Sequence, residues 1–177
     1  MKLSQALYVG RFQPFHLGHL NALKWILERH DTVIIGIGSA QYSYTFRNPF
    51  TLGERLEMIW RVLKSRGLLD RCIICAIPDT DSRHSLWVSQ VRMYSPRFDV
   101  VYTNDPLSIM LFEDAGIPVR PIPYFEREKY SATKIRELIA MKKAWRSLVP
   151  KEVAEYIEAI GGVERIRGLW LIRNSRK

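Results

Sequence analysis

Ten residues near the amino end, Gly10-Arg11-Phe12-Gln13-Pro14-Phe15-His16-Leu17-Gly18-His19, hold the side chains best suited to chemistry in this 177-residue chain. They join an apolar run, Ala6 to Val9, to a segment with helical periodicity. Gly10 permits a sharp turn and a close approach of ligand to backbone. Pro14 stiffens the connection. His16 and His19 are three apart at a helix start, so both rings project from one face. The N–H groups and positive end of that helix lie beside them. With Arg11 they make a pocket for phosphate. A zinc site would need more ligands, and His30 and His84 have no supporting spacing. Gly36-x-Gly38 lacks the third glycine of a dinucleotide fingerprint and lies on a predicted strand, and no G-x-x-x-x-G-K-[ST] loop is present.

A second set of residues suits the same ligand. Ser131 and Thr133 stand where a loop becomes a helix, supplying a cap and hydroxyl groups. Arg136, one turn on, can fork onto phosphate oxygens. Alone, this would be an ordinary capped helix with a solvated arginine. Arg47 falls in a loop after the second predicted strand, at the edge where such sheets bind ligands. Arg55 is expected on a helix surface. Trp87, at the start of a later helix, has core packing as its default role.

The elements that must position these groups alternate regularly. Predicted strands cover Ala6–Val9, Thr32–Gly38, Arg71–Ile77, Phe98–Tyr102 and Ile117–Ile122. Between them lie helical segments His16–Arg29, Thr51–Ser65, Ser85–Tyr94 and one opening near Asp105-Pro106. Thr51-Leu52-Gly53-Glu54 is a capping-box pattern. Arg71 to Ile77 reads as a buried strand. From Tyr130 to Gly161 helical patterns dominate, followed by a short basic segment. The alternation implies an α/β fold with a mainly parallel five-stranded sheet, helices on both faces and a C-terminal helical extension. A single domain over 1–177 is expected, with an α/β core to about residue 130 and a helical part over about 131–177.

Composition narrows the function classes. The net charge is +9, from 27 Lys and Arg against 18 Asp and Glu. A basic surface serves solubility, nucleic-acid binding or a polyanionic small substrate. The densest cluster is Arg165, Arg167, Arg173, Arg176 and Lys177, but no aromatic-and-basic recognition module stands out. Cys72 and Cys75, three apart on a strand, point to opposite faces, which argues against a redox or zinc pair and fits buried thiols in a reducing compartment. The N-terminal stretch is too short and interrupted for a signal peptide, and no run approaches a membrane span. A cytoplasmic protein binding neither nucleic acid nor membrane is expected.

Gly10 to His19 resembles the H-x-G-H signature of the nucleotidyltransferase superfamily. Its long form, G-R-F-Q-P-F-H-x-G-H, resembles the archaeal-type nicotinamide mononucleotide (NMN) adenylyltransferases. Arg47 to Arg55, Tyr130 to Arg136, Trp145 to Pro150 and Gly162 to Ile166 agree with that family in order, so the resemblance spans nearly the whole chain. It implies a Rossmann-like nucleotidyltransferase fold and transfer of AMP from ATP to NMN, giving NAD and pyrophosphate, as a step of NAD biosynthesis. It implies ATP contacts from Gly10, Arg11, His16, His19, Arg47, Ser131, Thr133 and Arg136, with His16, His19, Arg11, Arg47 and Arg136 at the reacting phosphates. It also implies Mg2+ carried with ATP rather than on protein ligands, and a homohexamer. Trp87 would stack on the nicotinamide ring. The pattern departs at His84, where family members often have Asn, and Asp79 and Asp81 flank the place of an upstream Asp. Nicotinate mononucleotide is an open alternative to NMN. Pantetheine phosphate, FMN and alcohol phosphates are the substrates of other superfamily members.

Overall fold

The computed structural model describes residues 4–125 and 128–175. Arg176 and Lys177 of the basic tail lie outside the described residues. The backbone groups into two compact units. One comprises Met1–Arg11, Ala22–Gln41 and Leu68–Pro123; the other comprises Phe12–Asn21, Tyr42–Gly67 and Tyr124–Lys177. The helical stretch 131–177 therefore falls in the second unit, together with two earlier segments.

The first unit holds the sheet. Its strands are β1 (Gln5–Gly10), β2 (Thr32–Ile37), β3 (Cys72–Ala76), β4 (Val100–Tyr102) and β5 (Val119–Arg120). All pair in parallel in the order β3-β2-β1-β4-β5. The order reverses between β1 and β4, which puts the carboxyl end of β1, at Gly10, at the switch point where such sheets receive ligands. Leu7, Ile34, Val101, Ile77, Val91 and Phe112 form a buried cluster with Ile117. Gly36 is a packing residue of β2, since a Cβ there would lie 2.8 Å from Ile77 Cδ1. The helices α3 (Trp87–Tyr94) and α4 (Pro106–Asp114) pack together in the same unit.

Two strand expectations need correction. Ile117–Ile122 shortens to the two-residue β5, flanked by Pro118 and Pro121, which lack the N–H that a longer ladder requires. Arg71–Ile77 is not fully buried: β3 is an edge strand, and Ile73 is 39% exposed. Cys72 and Cys75 are accordingly half-buried free thiols, and burial raises both to about 11, which leaves them unreactive near neutrality.

The second unit is helical. It contains α2 (Leu52–Ser65), α5 (Ala132–Ala140), α6 (Lys151–Ala159) and α7 (Gly162–Ser175), while α1 (Leu17–Leu27) begins in it and ends in the first unit. The α2 helix packs on α6, and α7 packs on both α5 and α6. The predicted capping box is formed: the Glu54 N–H donates to Thr51 Oγ1 and the Thr51 N–H to Glu54 Oε2. Arg55 is fully buried rather than on a helix surface, with Nε donating to the Thr51 carbonyl at 3.4 Å. Trp170 is half-buried against Phe46, at 4.9 Å between ring centroids, and not exposed. No helix among the described residues is long and apolar enough to cross a membrane.

Candidate functional site

Residue 16 immediately precedes α1 and residue 19 is its third member, the two positions that a capping box uses. Here imidazoles fill both roles. The His16 N–H donates to His19 Nδ1 at 3.2 Å, and the His19 N–H donates to His16 Nδ1 at 3.3 Å. Two N–H groups of the helix start are thus bonded by the pair itself, rather than being left for a ligand as the sequence suggested. The rings stack with centroids 3.5 Å apart and planes 18° apart.

This reciprocity sets the proton positions. An Nδ1 that accepts a backbone N–H carries a lone pair, so a neutral ring bears its proton on Nε2. Both histidines become neutral Nε2–H donors. Burial reinforces that state: His16 is 6% exposed and its pKa falls to about 3, while burial and then His16 itself lower His19. The apolar wall is Phe12, edge-on to His19 at 4.9 Å, and Phe15 at 5.6 Å. Phe12 takes φ 52°, a left-handed conformation costly for an aromatic residue and characteristic of functional turns. Gly18 is required between the rings, since a Cβ there would lie 3.0 Å from both His16 Cε1 and Tyr130 Cβ.

Gln13 is the positioning residue that the sequence reading missed. It is 1% exposed, and its amide bonds the Phe50 backbone twice: Nε2 donates to the carbonyl and the Phe50 N–H donates to Oε1, both at 2.9 Å. The side chain thereby pairs with Phe50 as a peptide group would. The available signal was an amide set between aromatic and proline neighbours, where burial obliges it to find partners.

Arg136 completes the arrangement differently from a solvated arginine. It is 3% exposed, donates from Nη1 to the Gln13 carbonyl at 2.8 Å, and from Nη2 to Thr133 Oγ1 at 3.2 Å. Ser131 caps α5 by accepting the Lys134 N–H. Arg47 is exposed and makes no hydrogen bond or ion pair among the described residues. The second unit therefore brings together His16, His19, Gln13, Thr133 and Arg136, with Ser131 capping the same helix.

The other predicted site residues belong to the first unit. Gly10 ends β1 and Arg11 follows it, half-buried. Trp87 packs partly buried against the sheet's apolar cluster, and its Nε1 is buried with no hydrogen-bond partner among the described residues. His84 is exposed at the start of a short 3-10 turn, His84–Leu86. Ser39 donates to the Asp79 carboxylate, and the Asp81 N–H donates to the same residue.

Known proteins share the sequence and the fold of this chain. The cytidylyltransferase-like family matches residues 7–138. A nicotinamide-nucleotide adenylyltransferase of Saccharolobus solfataricus is 49% identical over 166 residues, which is 93% of this chain and 96% of that one. One from Thermoplasma volcanium is 48% identical over 168 residues, covering 95% and 93% respectively. A crystal structure of a bifunctional NMN adenylyltransferase/ADP ribose pyrophosphatase from Francisella tularensis, complexed with AMP and a manganese ion, superposes with a TM-score of 0.78. It is 20% identical, and the match covers 98% of this chain and 54% of that one, so it shows the fold and about half of that protein's length.

Proposed function

The chain belongs to the nicotinamide-nucleotide adenylyltransferase family, within the cytidylyltransferase-like group, and from this we propose that it joins ATP and NMN into NAD and pyrophosphate. The observation that carries the mechanism is the imidazole capping box, which turns His16 and His19 into two neutral N–H donors at the positive end of a helix. The NMN phosphate is an anionic nucleophile near neutral pH, so the reaction needs no serine or cysteine and no strong base. It needs two anions brought into line and their charge offset as the α-phosphoryl group passes between oxygens.

His16 and His19 donate to phosphate oxygens at the reacting centre in this reading. Neutral donors suit the role because they require no proton loss as negative charge builds in an apolar surrounding. Arg47 reaches the triphosphate, Ser131, Thr133 and Arg136 are further phosphate contacts, and Arg136 also braces Gln13. Gly10 and Arg11 are assigned as phosphate contacts as well. Trp87 and His84 are assigned as NMN contacts, the indole face suiting a cationic pyridinium.

Magnesium fits as a passenger of the nucleotide. Among the described residues no group of three or more His, Cys, Asp or Glu side chains could hold a metal ion. In this reading the ion would be held by phosphate oxygens and water, where it would offset charge on the leaving pyrophosphate. A homohexamer belongs to the same reading, to be measured by light scattering.

Incubating the purified protein with ATP, Mg2+ and either NMN or nicotinate mononucleotide, then separating the products, tests the reaction. NAD and pyrophosphate in equal amounts are expected from NMN. A protein that hydrolyses ATP without forming a dinucleotide, or forms one only from pantetheine phosphate or FMN, refutes the assignment.

A further inference from the structure

Arg47 lies in a tight turn that other parts of the chain hold from outside. Thr45 and Asn48 exchange backbone bonds, at 3.2 Å from the Thr45 N–H and 3.1 Å from the Asn48 N–H, and the latter also reaches Thr45 Oγ1 at 3.0 Å. Phe46 and Arg47 are the two central residues. Phe46 is 5% exposed and Arg47 is exposed, so the direction of the Arg47 guanidinium depends on how Phe46 and the two shoulders of the turn are fixed.

All of those fixings include α7. The Phe46 ring packs on Trp170, and the guanidinium of Arg173 lies 5.2 Å from its centroid. Arg136 approaches the same ring at 5.6 Å. Arg165 touches both shoulders: its guanidinium covers the Tyr44 ring at 4.6 Å, and Nη1 donates to the Pro49 carbonyl at 3.2 Å. Arg165 is itself locked by a two-point pair with Glu54, Nη1 to Oε2 at 2.6 Å and Nη2 to Oε1 at 2.8 Å. Both partners are well shielded, at 15% and 16% exposure. Such a planar fork fixes orientation as well as charge, which a lysine could not reproduce.

We infer that Arg165 is a positioning residue for Arg47: from α7 it clamps Tyr44 and Pro49, and so sets where the Arg47 guanidinium meets the ATP phosphates. This rests on the phosphate role given to Arg47 above. The remote helix contributes to nucleotide binding without touching nucleotide.

The test is a double-mutant cycle on the full chain with steady-state NAD formation as readout. Replacing Arg165 alone would strand the Glu54 carboxylate, so the neutral pair Glu54→Gln/Arg165→Gln is used, with Trp170→Leu as an independent loosening of the turn that leaves the ion pair intact. Either change should raise KM for ATP about tenfold while KM for NMN stays within about twofold. Added to Arg47→Ala, either should cause no further rise, because the group being positioned is gone. Multiplying effects, or equal rises in both KM values, overturn the proposal while leaving the role of Arg47 standing. If Arg47→Ala itself leaves KM for ATP unchanged, the phosphate role of Arg47 fails, and this inference with it.

Discussion

Acidification should destabilise this protein through its imidazole pair. Each ring takes up a proton near the ordinary histidine value, about 6.5, when the chain is unfolded. In the fold the His16 value lies near 3 and His19 is also lowered. Between those limits the unfolded state binds more protons, so stability falls as pH falls below about 6.5 and keeps falling toward the folded value. From about pH 7.5 to about pH 5.5 the linkage amounts to about 1–1.5 kcal/mol per ring, or about 2–3 kcal/mol for the pair. Urea unfolding at the two pH values measures it. The comparison protein is His16→Asn/His19→Gln, which rebuilds a capping box from amides that do not titrate. The difference in unfolding free energy between the two pH values should shrink by about 2–3 kcal/mol in that variant. An equal pH dependence in both proteins would refute the reasoning. So would nitrogen NMR placing the proton on Nδ1 of either ring at neutral pH.

Other outcomes follow from the same geometry. His19→Ala should lower kcat for NAD formation by about a hundredfold or more, since it removes one donor and opens the box, and an unchanged kcat would remove His19 from the mechanism. Gly18→Ala places a methyl group 3.0 Å from His16 and Tyr130, so kcat should fall about tenfold with circular dichroism unchanged. Gly53→Ala, whose Cβ meets nothing within 4 Å, is the matched control and should retain full activity.

Features written in local sequence were legible before any coordinates. The Thr51–Glu54 capping box, the first four strands and the turn from β1 into α1 at Gly10 to His19 depend on neighbours a few residues away. What stayed hidden depends on distant partners. Arg55 shows a charged residue on a helix, and only the packing of α2 reveals that it is enclosed. Gln13 reads as a polar loop residue until Phe50, 37 positions later, supplies both of its partners. Histidine is an unusual choice for either end of a capping box, so a pattern tuned to serine and glutamate passes over His16 and His19. The β5 strand is shorter than its apolar run because Pro118 and Pro121 lack the N–H groups that a longer ladder needs.

The bonds that brace the histidine loop and the Arg47 turn span great lengths of chain. Arg136 reaches Gln13 across 123 positions, and Arg165 reaches Glu54 across 111. During synthesis the signature loop therefore emerges long before the helices that hold it. Such long-range closures are slow steps in folding. The parallel sheet can begin to assemble once β2 has been made, but the histidine loop and the Arg47 turn wait for α5 and α7. Ribosome-bound chains stopped before residue 136 would carry the whole Gly10–His19 loop without the Arg136 bond that braces it.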